Sequence, residues 1–259
     1  MRILVVPDSH DKPGVANTRY HLLANVAFHY KPDVIVNIGD WADMPSLCSY
    51  DKGTKSFEGR RYKEDIKAAN DAIRVFETRL SELTAKEATS KKKKKYVPQK
   101  ITTWGNHEHR IVRAANSQPE LHGTISLGDI RFADYGWTCV PYMVPTIING
   151  VAFAHCFGSG VMNRPISSEH QATTMIKKKF MSCVAGHTHL RDFAERTSAD
   201  GTKLNAMTVG CYLEPGQVED YAGEAQNLWW NGLVVMHDVK NGSFDPEFIG
   251  MERIQREFA

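Results

Sequence analysis

The sequence repeatedly places a short apolar run directly before a cluster of polar residues, and this pattern constrains the fold more than any other feature. Residues 2–7 form an apolar run that ends at Asp8, and residues 33–38 form a second run that Gly39 closes. Between them, residues 15–30 carry apolar side chains at helical spacing. Buried strands joined through a helix pair in parallel with a right-handed crossover. The first part of the chain therefore predicts an α/β fold.

The rest of the chain extends this pattern. Residues 62–88 repeat apolar side chains every three or four positions, which predicts one long amphipathic helix packed on the sheet. The basic run from Lys91 to Lys95 predicts a solvated loop. Asn149 and Gly150, between two apolar runs, predict a tight hairpin. Further strands are predicted at 100–104, 137–140, 144–148, 151–154, 182–185, 193–196, 204–209 and 233–238, with a helix at 168–180. The strand at 100–104 is the third after those at 2–7 and 33–38, and the strand-rich second half of the chain predicts a second sheet, built largely by the C-terminal half.

Composition and charge narrow the class of protein. No linker or repeat is visible in the 259 residues, so we expect a single domain over 1–259 with a basic helical insert at about 51–99. Residues 51–113 hold 17 Lys and Arg against 9 Asp and Glu, within a net charge of only +2. This uneven charge favours an anionic partner, and nucleic acid bound through 51–113 is the candidate. No apolar run is long enough for a membrane span, no secretory signal is visible and the five cysteines are scattered, so a cytoplasmic location is expected.

Five polar clusters stand where the predicted strands stop. They are Asp8-Ser9-His10, residues 39–43, residues 105–108, His155, and residues 186–189. Loops at the carboxyl ends of strands are where α/β sheets place their functional sites. Residues two apart in an extended segment project to the same side, so Asp8 and His10 can converge on one point, as can the two histidines of the last cluster. Asp, His and Asn without Cys form a mixed oxygen and nitrogen ligand set, which suits Mn²⁺, Fe or Zn²⁺ at a catalytic centre.

The ordered clusters resemble the calcineurin-like metallophosphoesterases, whose pattern is D-x-H, G-D-x-x-D, G-N-H-[D/E], H and G-H-x-H. The match runs from Asp8 to His189, about 70% of the chain, and every ligand position is filled. The resemblance implies a four-layer αββα sandwich, in which helices flank two facing mixed sheets and the metals lie at one rim. It also implies a hydrolase that uses two divalent metal ions, with Mn²⁺ placed first and Fe or Zn²⁺ as alternatives.

The resemblance assigns roles to individual residues. The implied metal ligands are Asp8, His10 and His189 for the first ion, Asn106, His155 and His187 for the second, and Asp40 as a bridge. His107 corresponds to the proton donor of the leaving group, and Asp43 to the carboxylate that orients it. Such a metal pair activates water for in-line attack on the phosphorus, and a positioned imidazolium assists departure of a poor leaving group.

One departure from the family bears on the substrate. Protein phosphatases of this superfamily carry an Arg directly after the second Asp of the second cluster, but here Asp43 is followed by Met44 and Pro45. Arg110 and Arg113 are spaced to share one helix face, and we predict that one of them grips a substrate phosphate; two surface arginines are the alternative.

Three functional hypotheses follow. The first is a phosphomonoesterase or phosphodiesterase acting on nucleotides or nucleic-acid ends, which the basic segment and the missing Arg favour. The second is a Ser/Thr protein phosphatase, which only the Gly-Asn-His-Glu cluster at 105–108 favours. The third is a non-catalytic scaffold on the same fold. Scaffolds usually lose the catalytic His or several ligands, whereas this chain keeps all of them.

Overall fold

A computed structural model describes residues 1–92, 94–219 and 222–259. The helices are α1 (Thr18–Tyr30), α2 (Tyr62–Lys91), α3 (His109–Ser117), α4 (Gln171–Lys179) and α5 (Met251–Glu257). The strands are β1 (Ile3–Val6), β2 (Val34–Asn37), β3 (Gln99–Thr103), β4 (Thr138–Val140), β5 (Thr146–Ile148), β6 (Val151–Phe153), β7 (Gly158–Ser159), β8 (Arg164–Pro165), β9 (Ser182–Ala185), β10 (Arg191–Thr197), β11 (Lys203–Val209), β12 (Gly232–Lys240) and β13 (Ser243–Gly250).

Two mixed sheets organise the described residues. The larger sheet has the strand order β13-β12-β1-β2-β3-β4, in which β1 to β4 run parallel and β12 and β13 are antiparallel additions. The smaller sheet has the order β10-β11-β9-β6-β5, in which β9 runs parallel to both β6 and β11. A short ribbon of β7 and β8 stands apart from both sheets.

Alternating side chains of β1 divide the core into layers. Ile3 and Val5 join an apolar cluster that includes Phe153 of the smaller sheet, so this cluster lies between the two sheets. Leu4 and Val6 join a second cluster that holds the buried faces of α1 and α2. A third cluster packs α4 on the outer face of the smaller sheet. The layers are therefore helix, sheet, sheet and helix, and the predicted αββα fold class is confirmed.

The element boundaries differ from the sequence-based predictions at a few points. The long helix was expected to end at 88 but continues to Lys91, and Lys92 caps it in a left-handed conformation, so the basic run begins inside α2. Lys93 lies outside the described residues. The hairpin at Asn149 and Gly150 is present between β5 and β6, and both residues have positive φ angles. Strand β13 was not predicted, because Pro246 weakens its strand signal at the edge of the sheet.

The parallel strands bring distant segments to one rim. The loops after β1, β2 and β3 leave the larger sheet at the same edge, and those after β6 and β9 leave the smaller sheet beside it. Tyr212 donates its backbone N–H to the carbonyl of Asp8 at 2.7 Å, which joins the two sheets at this rim. No described helix combines the length and the apolar character needed to cross a lipid bilayer. The arrangement of one domain with an insert at 51–99 stays a prediction.

Asp65 joins helix α2 to the turn at 45–47 that follows the second polar cluster. Its Oδ2 accepts the backbone N–H of Ser46 at 2.9 Å, and the residue is 1% exposed. Among the described residues, its Oδ1 has no hydrogen-bond partner. Burial raises the pKa of Asp65 from 3.8 to about 6.

This raised pKa makes stability depend on pH. The unfolded chain releases the Asp65 proton near pH 3.8 whereas the folded protein keeps it until about pH 6, so the free energy of unfolding falls across that interval. The loss amounts to at most about 3 kcal/mol and persists at higher pH. We expect Asp65→Asn to raise the free energy of unfolding at pH 7, measured by urea denaturation, and to leave it unchanged at pH 4. Asp134→Asn, at an exposed site, is the control, and an Asp65→Asn gain that is equal at both pH values would contradict the assignment.

Candidate metal centre

The seven side chains assigned as metal ligands meet at the rim: six of them, together with His107, form close groups, and Asn106 Oδ1 lies 2.9 Å from His155 Nε2. Three overlapping groups have potential ligand atoms within 4.8 Å of one another: Asp8, His10 and His189; His10, Asp40 and His107; and Asp40, His155 and His187. They come from the loops after β1, β2, β3, β6 and β9, which lie far apart in the sequence. The geometry therefore brings all the predicted clusters together, while the ligand roles themselves stay a prediction.

The first group lies around Asp8. His189 Nε2 is 3.3 Å from Asp8 Oδ2 and 3.0 Å from His10 Nε2. Asp8 Oδ2 also accepts the backbone N–H of His187 at 2.8 Å, which fixes the carboxylate. Two imidazole nitrogens and a carboxylate that approach this closely form an oxygen and nitrogen donor set of the kind that holds a divalent transition metal.

The second group lies on the other side of Asp40. His155 Nε2 is 3.3 Å from Asp40 Oδ2 and 2.9 Å from Asn106 Oδ1. His10 Nε2, from the first group, lies 4.0 Å from the same Asp40 oxygen. Asp40 thus stands between the two groups, as the bridging role requires. Its Oδ1 accepts the backbone N–H of His107 at 2.8 Å.

Buried polar atoms and glycines test whether these residues fit cations. Asp8 Oδ1 and His10 Nδ1 are buried without a hydrogen-bond partner among the described residues, which is costly unless something else binds there. A Cβ atom at Gly105 would lie 2.0 Å from Asp40 Oδ1, and one at Gly186 would lie 2.2 Å from Asp8 Oδ1. The glycines therefore keep space beside both carboxylates, and the residues present fit a pair of divalent ions.

Backbone strain concentrates at the same residues. His10, Asp40, His187 and His189 all have φ angles between 50° and 76°, a region that costs energy for residues other than glycine. Hydrogen bonds between loops hold part of this conformation, since the Asp40 carbonyl accepts the backbone N–H groups of Ser9 and His10 at 3.0 and 2.9 Å. Strain that the surroundings enforce is typical of a functional site.

The buried carboxylates govern the protonation of the histidines. Burial opposes it, but the charges of Asp40 and Asp8 raise the pKa of His155 to about 9. Burial and the charge of His155 lower the pKa of His187 to about 4. Burial also acts against ionisation of Asp40, yet His155 and His107 hold the pKa of this carboxyl well below its usual range. Ionised carboxylates at the rim attract positive charge, whether protons or metal ions.

His155 and His107 are oriented by their second ring nitrogens. His155 Nδ1 donates to the carbonyl of Ile38 at 3.1 Å, which leaves Nε2 free to face the ligand group. His107 Nδ1 donates to the Asp43 carboxylate at 2.7 Å, so its Nε2 is the atom that faces Asp40, 3.9 Å from Oδ2. Burial opposes it, but Asp40 and Asp43 raise the pKa of His107 and favour the imidazolium that a proton donor needs.

The two predicted substrate-binding arginines have different positions. Arg110 Nη1 donates to the carbonyls of Asp43 and Met44 at 2.8 and 3.3 Å, and its Nη2 lies 3.2 Å from His107 Nε2. Arg113, one turn further along α3, is exposed and lines a neighbouring depression beside Leu47 that Arg110 also borders, but it does not line the cavity beside His107. The structure brings Arg110 to the site and leaves Arg113 on the neighbouring surface.

Sequence reasoning did not single out Glu108, although it ends the Gly-Asn-His-Glu cluster. Its carboxylate is fully buried and accepts three backbone N–H groups, from Ala42 at 2.8 Å, Gly105 at 2.9 Å and Asp40 at 3.1 Å. These bonds join the loop after β2 to the loop after β3. The side chain contacts neither ligand group directly and acts by holding their backbones together.

Arg19 in α1 was also missed. It is 0% exposed, and its Nη2 donates to the carbonyl of Ser9 at 3.1 Å and to Asp11 Oδ1 at 2.7 Å, which supports the first cluster from behind. An arginine beside the apolar helix residues Leu22 and Leu23 was the signal available in the sequence. Lys and Arg are rarely buried without a partner, so this position indicates a buried carboxylate.

Glu108→Gln tests the link between the loops. The amide nitrogen of Gln would face backbone donors instead of accepting from them, so at least one N–H group loses its partner. We expect the free energy of unfolding to fall by about 2–4 kcal/mol and Mn²⁺ affinity, measured by calorimetric titration, to fall with it. Glu120→Gln, at an exposed position, should stay within about 0.5 kcal/mol of the wild type. Wild-type stability and Mn²⁺ affinity in Glu108→Gln would rule out this role.

Comparison with known proteins gives the family. A search of curated proteins returned no match to this sequence. A solved structure of YfcE, a phosphoesterase from E. coli, aligns over 95% of this chain and 98% of that chain, with 12% identity and a TM-score of 0.37. A second crystal structure aligns over the same shares of both chains, with 11% identity and a TM-score of 0.39. The calcineurin-like phosphoesterase profile matches residues 1–158, well over half of the sequence. With this match, the chain belongs to the calcineurin-like phosphoesterase family.

Proposed function

We propose that this phosphoesterase is a dinuclear-metal hydrolase that acts on nucleotide or nucleic-acid phosphoesters, with His107 as general acid. The observation that carries the proposal is the meeting of Asp8, Asp40 and four imidazoles beside the His107–Asp43 pair. Family membership accounts for phosphoester hydrolysis in general. The metal pair, the proton donor and the substrate class are the finer parts of the proposal.

The donor set supports divalent cations, with Mn²⁺ proposed first and Fe or Zn²⁺ as alternatives. Asp8, His10 and His189 would hold one ion, Asn106, His155 and His187 the other, and Asp40 would contact both. Bound there, the ions would lower the pKa of water and offset negative charge on the phosphate oxygens. Backbone N–H groups fix one oxygen of each carboxylate: that of His107 bonds Asp40 Oδ1, and that of His187 bonds Asp8 Oδ2.

His107 is proposed to protonate the leaving oxygen from Nε2. Asp43 occupies Nδ1 and stabilises the charged ring, so the proton available for transfer is on the side that faces Asp40. The positive guanidinium of Arg110 beside Nε2 acts to lower the pKa of the His107 ring, which favours release of its proton. The leaving oxygen is thus expected to lie against Nε2, with the Arg110 guanidinium beside it.

Arg110 is proposed to bind a non-bridging phosphate oxygen. Met44 stands where protein phosphatases have their arginine, and it is fully buried, so it offers no charge to a substrate. Arg110 donates to the carbonyls of Asp43 and Met44, which holds its guanidinium beside this segment from helix α3. A planar guanidinium there supplies the bidentate donors that phosphate recognition uses.

Contact with nucleic acid through the basic segment at 51–113 is a weaker proposal. Part of its charge is neutralised, because Lys67 pairs with Asp71, Lys91 with Glu87 and Lys100 with Glu77. Phosphate-backbone contacts by the remaining cations would give binding that weakens steeply with salt. Binding of single-stranded oligonucleotides that is absent at 50 mM NaCl would remove this part of the proposal.

A substrate panel tests the proposed activity. After chelation and reconstitution with Mn²⁺, Zn²⁺ or Fe²⁺, the protein is assayed on p-nitrophenyl phosphate, bis-p-nitrophenyl phosphate, nucleotides, 3′- and 5′-phosphorylated oligonucleotides and a phosphopeptide. We expect metal-dependent hydrolysis with nucleotides or oligonucleotide ends preferred. Activity that survives complete chelation, or a phosphopeptide preference, would contradict the proposal.

His107→Ala should lower turnover according to the leaving group. General acid catalysis contributes roughly 10²–10⁴-fold when the leaving alkoxide is poor. We expect a loss of that size on alkyl or nucleoside phosphates, a much smaller loss on p-nitrophenyl phosphate, and unchanged Mn²⁺ binding by calorimetry. Wild-type turnover of an alkyl phosphate by this variant would exclude His107 as the proton donor.

Arg110→Ala and Arg113→Ala form a matched pair on one helix. Only Arg110 reaches the site, so we expect Arg110→Ala to raise the KM for phosphate monoesters by about 10- to 100-fold, as the loss of a charge-assisted bond predicts. Arg113→Ala should stay within about twofold, because its side chain is exposed and does not line the cavity beside His107. Equal effects of the two substitutions would refute the assignment of Arg110.

A further inference from the structure

A cavity of about 860 Å³ opens directly beside His107. Asn106, His107 and Arg110 form its inner end. The segment at 45–61, between β2 and α2, forms the opposite wall, with Tyr50 and Ser56 among its lining residues. This cavity is continuous with the proposed catalytic groups, and its wall at 45–61 contains none of the proposed metal ligands.

The orientation of His107 assigns a role to the cavity. Because Asp43 occupies Nδ1, a proton can leave the ring only from Nε2, so the oxygen that departs must lie against Nε2. Arg110 Nη2, 3.2 Å from that nitrogen, lines the same cavity. The part of the substrate attached to the departing oxygen therefore extends into the cavity, whereas the phosphorus stays at the rim. In the balanced reaction the P–O bond to this group breaks, a P–O bond to water forms, and the departing oxygen takes the His107 proton.

The size of the cavity indicates a large leaving group. Pockets of roughly 300–1,000 Å³ enclose ligands of drug or nucleotide size. At about 860 Å³ the cavity far exceeds what a phosphate ion needs. Tyr50, which is 86% exposed, offers an aromatic face at the outer wall, where a planar ring could stack.

The charges of the lining residues argue against a polyanion. Four cations line the cavity, namely Lys12, Arg60, Arg61 and Arg110, against six carboxylates, namely Asp43, Asp51, Glu58, Glu64, Asp65 and Glu219. Three of these cations already face a carboxylate: Lys12 Nζ lies 2.7 Å from Glu219 Oε2, Arg60 Nη1 lies 2.5 Å from Asp51 Oδ2, and Arg110 Nη1 lies 3.8 Å from Asp43 Oδ1. Such a wall offers many hydrogen-bond donors and acceptors but no surplus of positive charge. The described lysines of the 91–95 run do not line it.

We infer that this cavity is the leaving-group pocket of the enzyme and selects an uncharged, hydrogen-bonding leaving group of nucleoside size. The inference rests on the proposed function and narrows it: the favoured substrate is a nucleoside monophosphate, and a leaving group that carries its own phosphate is disfavoured. The basic surface and this pocket are then separate features of the molecule.

Filling the cavity from its outer wall tests the inference. Ser56 is exposed, lines the cavity and lies outside the catalytic groups, so Ser56→Trp narrows the space without touching His107. Lys55→Trp is the matched control, because the adjacent side chain is exposed and does not line the cavity. Glu58→Trp, at a second exposed wall position, repeats the test should Ser56→Trp fold poorly.

The Mn²⁺-loaded proteins are assayed on adenosine 5′-monophosphate, adenosine 3′,5′-bisphosphate and p-nitrophenyl phosphate. For the wild type we expect kcat/KM to be at least about 10-fold higher for the monophosphate than for the bisphosphate. Ser56→Trp should raise the KM for the monophosphate at least about 10-fold with kcat nearly unchanged, and leave p-nitrophenyl phosphate within about twofold. Lys55→Trp should behave as the wild type.

The outcomes separate the two levels of the proposal. If the wild type hydrolyses p-nitrophenyl phosphate but both wall substitutions leave the KM for the nucleotide unchanged, the leaving-group pocket is refuted and the phosphoesterase proposal stands. Equal losses on all substrates in Ser56→Trp, or a preference for the bisphosphate, would also overturn it. No hydrolysis of any phosphate ester by the metal-loaded wild type would overturn the proposed function together with this inference.

Discussion

The burial of two ionised carboxylates at one rim is the constraint on which the site depends. Asp8 and Asp40 are 0% and 2% exposed, and within the described ranges neither forms an ion pair with Lys or Arg. An unpaired buried charge is costly, so the surrounding imidazoles must carry compensating positive charge as protons, or that charge must come from a cation. Asp40 and Asp8 raise the pKa of His155 although burial acts to lower it, which reflects the demand for positive charge beside the two carboxylates. The same charge arrangement is what a site for divalent cations would need.

The loops that carry these buried carboxylates are held by hydrogen bonds to one another rather than to a solvent-exposed surface. Glu108 accepts three N–H groups from two loops, Arg19 supports the loop after β1, and the Asp40 carbonyl bonds that loop to its neighbour. Several of the proposed ligand residues keep left-handed backbone conformations under these restraints. These links hold the strained loops in place. Glu108 and Arg19 therefore contribute to the geometry of the site although neither is a proposed ligand or catalytic group.

The sequence was sufficient to predict the architecture and the meeting of the clusters, but not the details that depend on tertiary contacts. Strands β1 and β2 could be predicted because their apolar runs are continuous and end in Asp8 and Gly39. The role of Glu108 could not, since two of the three backbone N–H groups that its carboxylate accepts belong to a loop more than 60 residues away in the sequence. The extension of α2 to Lys91 was missed for a related reason: a lysine in a charged run has no apolar period, yet its i,i+4 pair with Glu87 supports the last helical turn.

The two arginines of α3 illustrate where residue spacing stops being informative. Arg110 and Arg113 are three positions apart, and the pattern alone treats them alike. Helix α3 begins at His109, so Arg110 lies in its first turn, close to His107. There its guanidinium donates to the carbonyls of Asp43 and Met44. Arg113 starts one turn further from the rim and points to the surface. A protein phosphatase supplies its guanidinium from the loop that here carries Met44, and this chain brings one from the following helix instead. Arg110 lines the cavity beside His107, whereas the buried Met44 does not, so on this side of the site the guanidinium comes from α3.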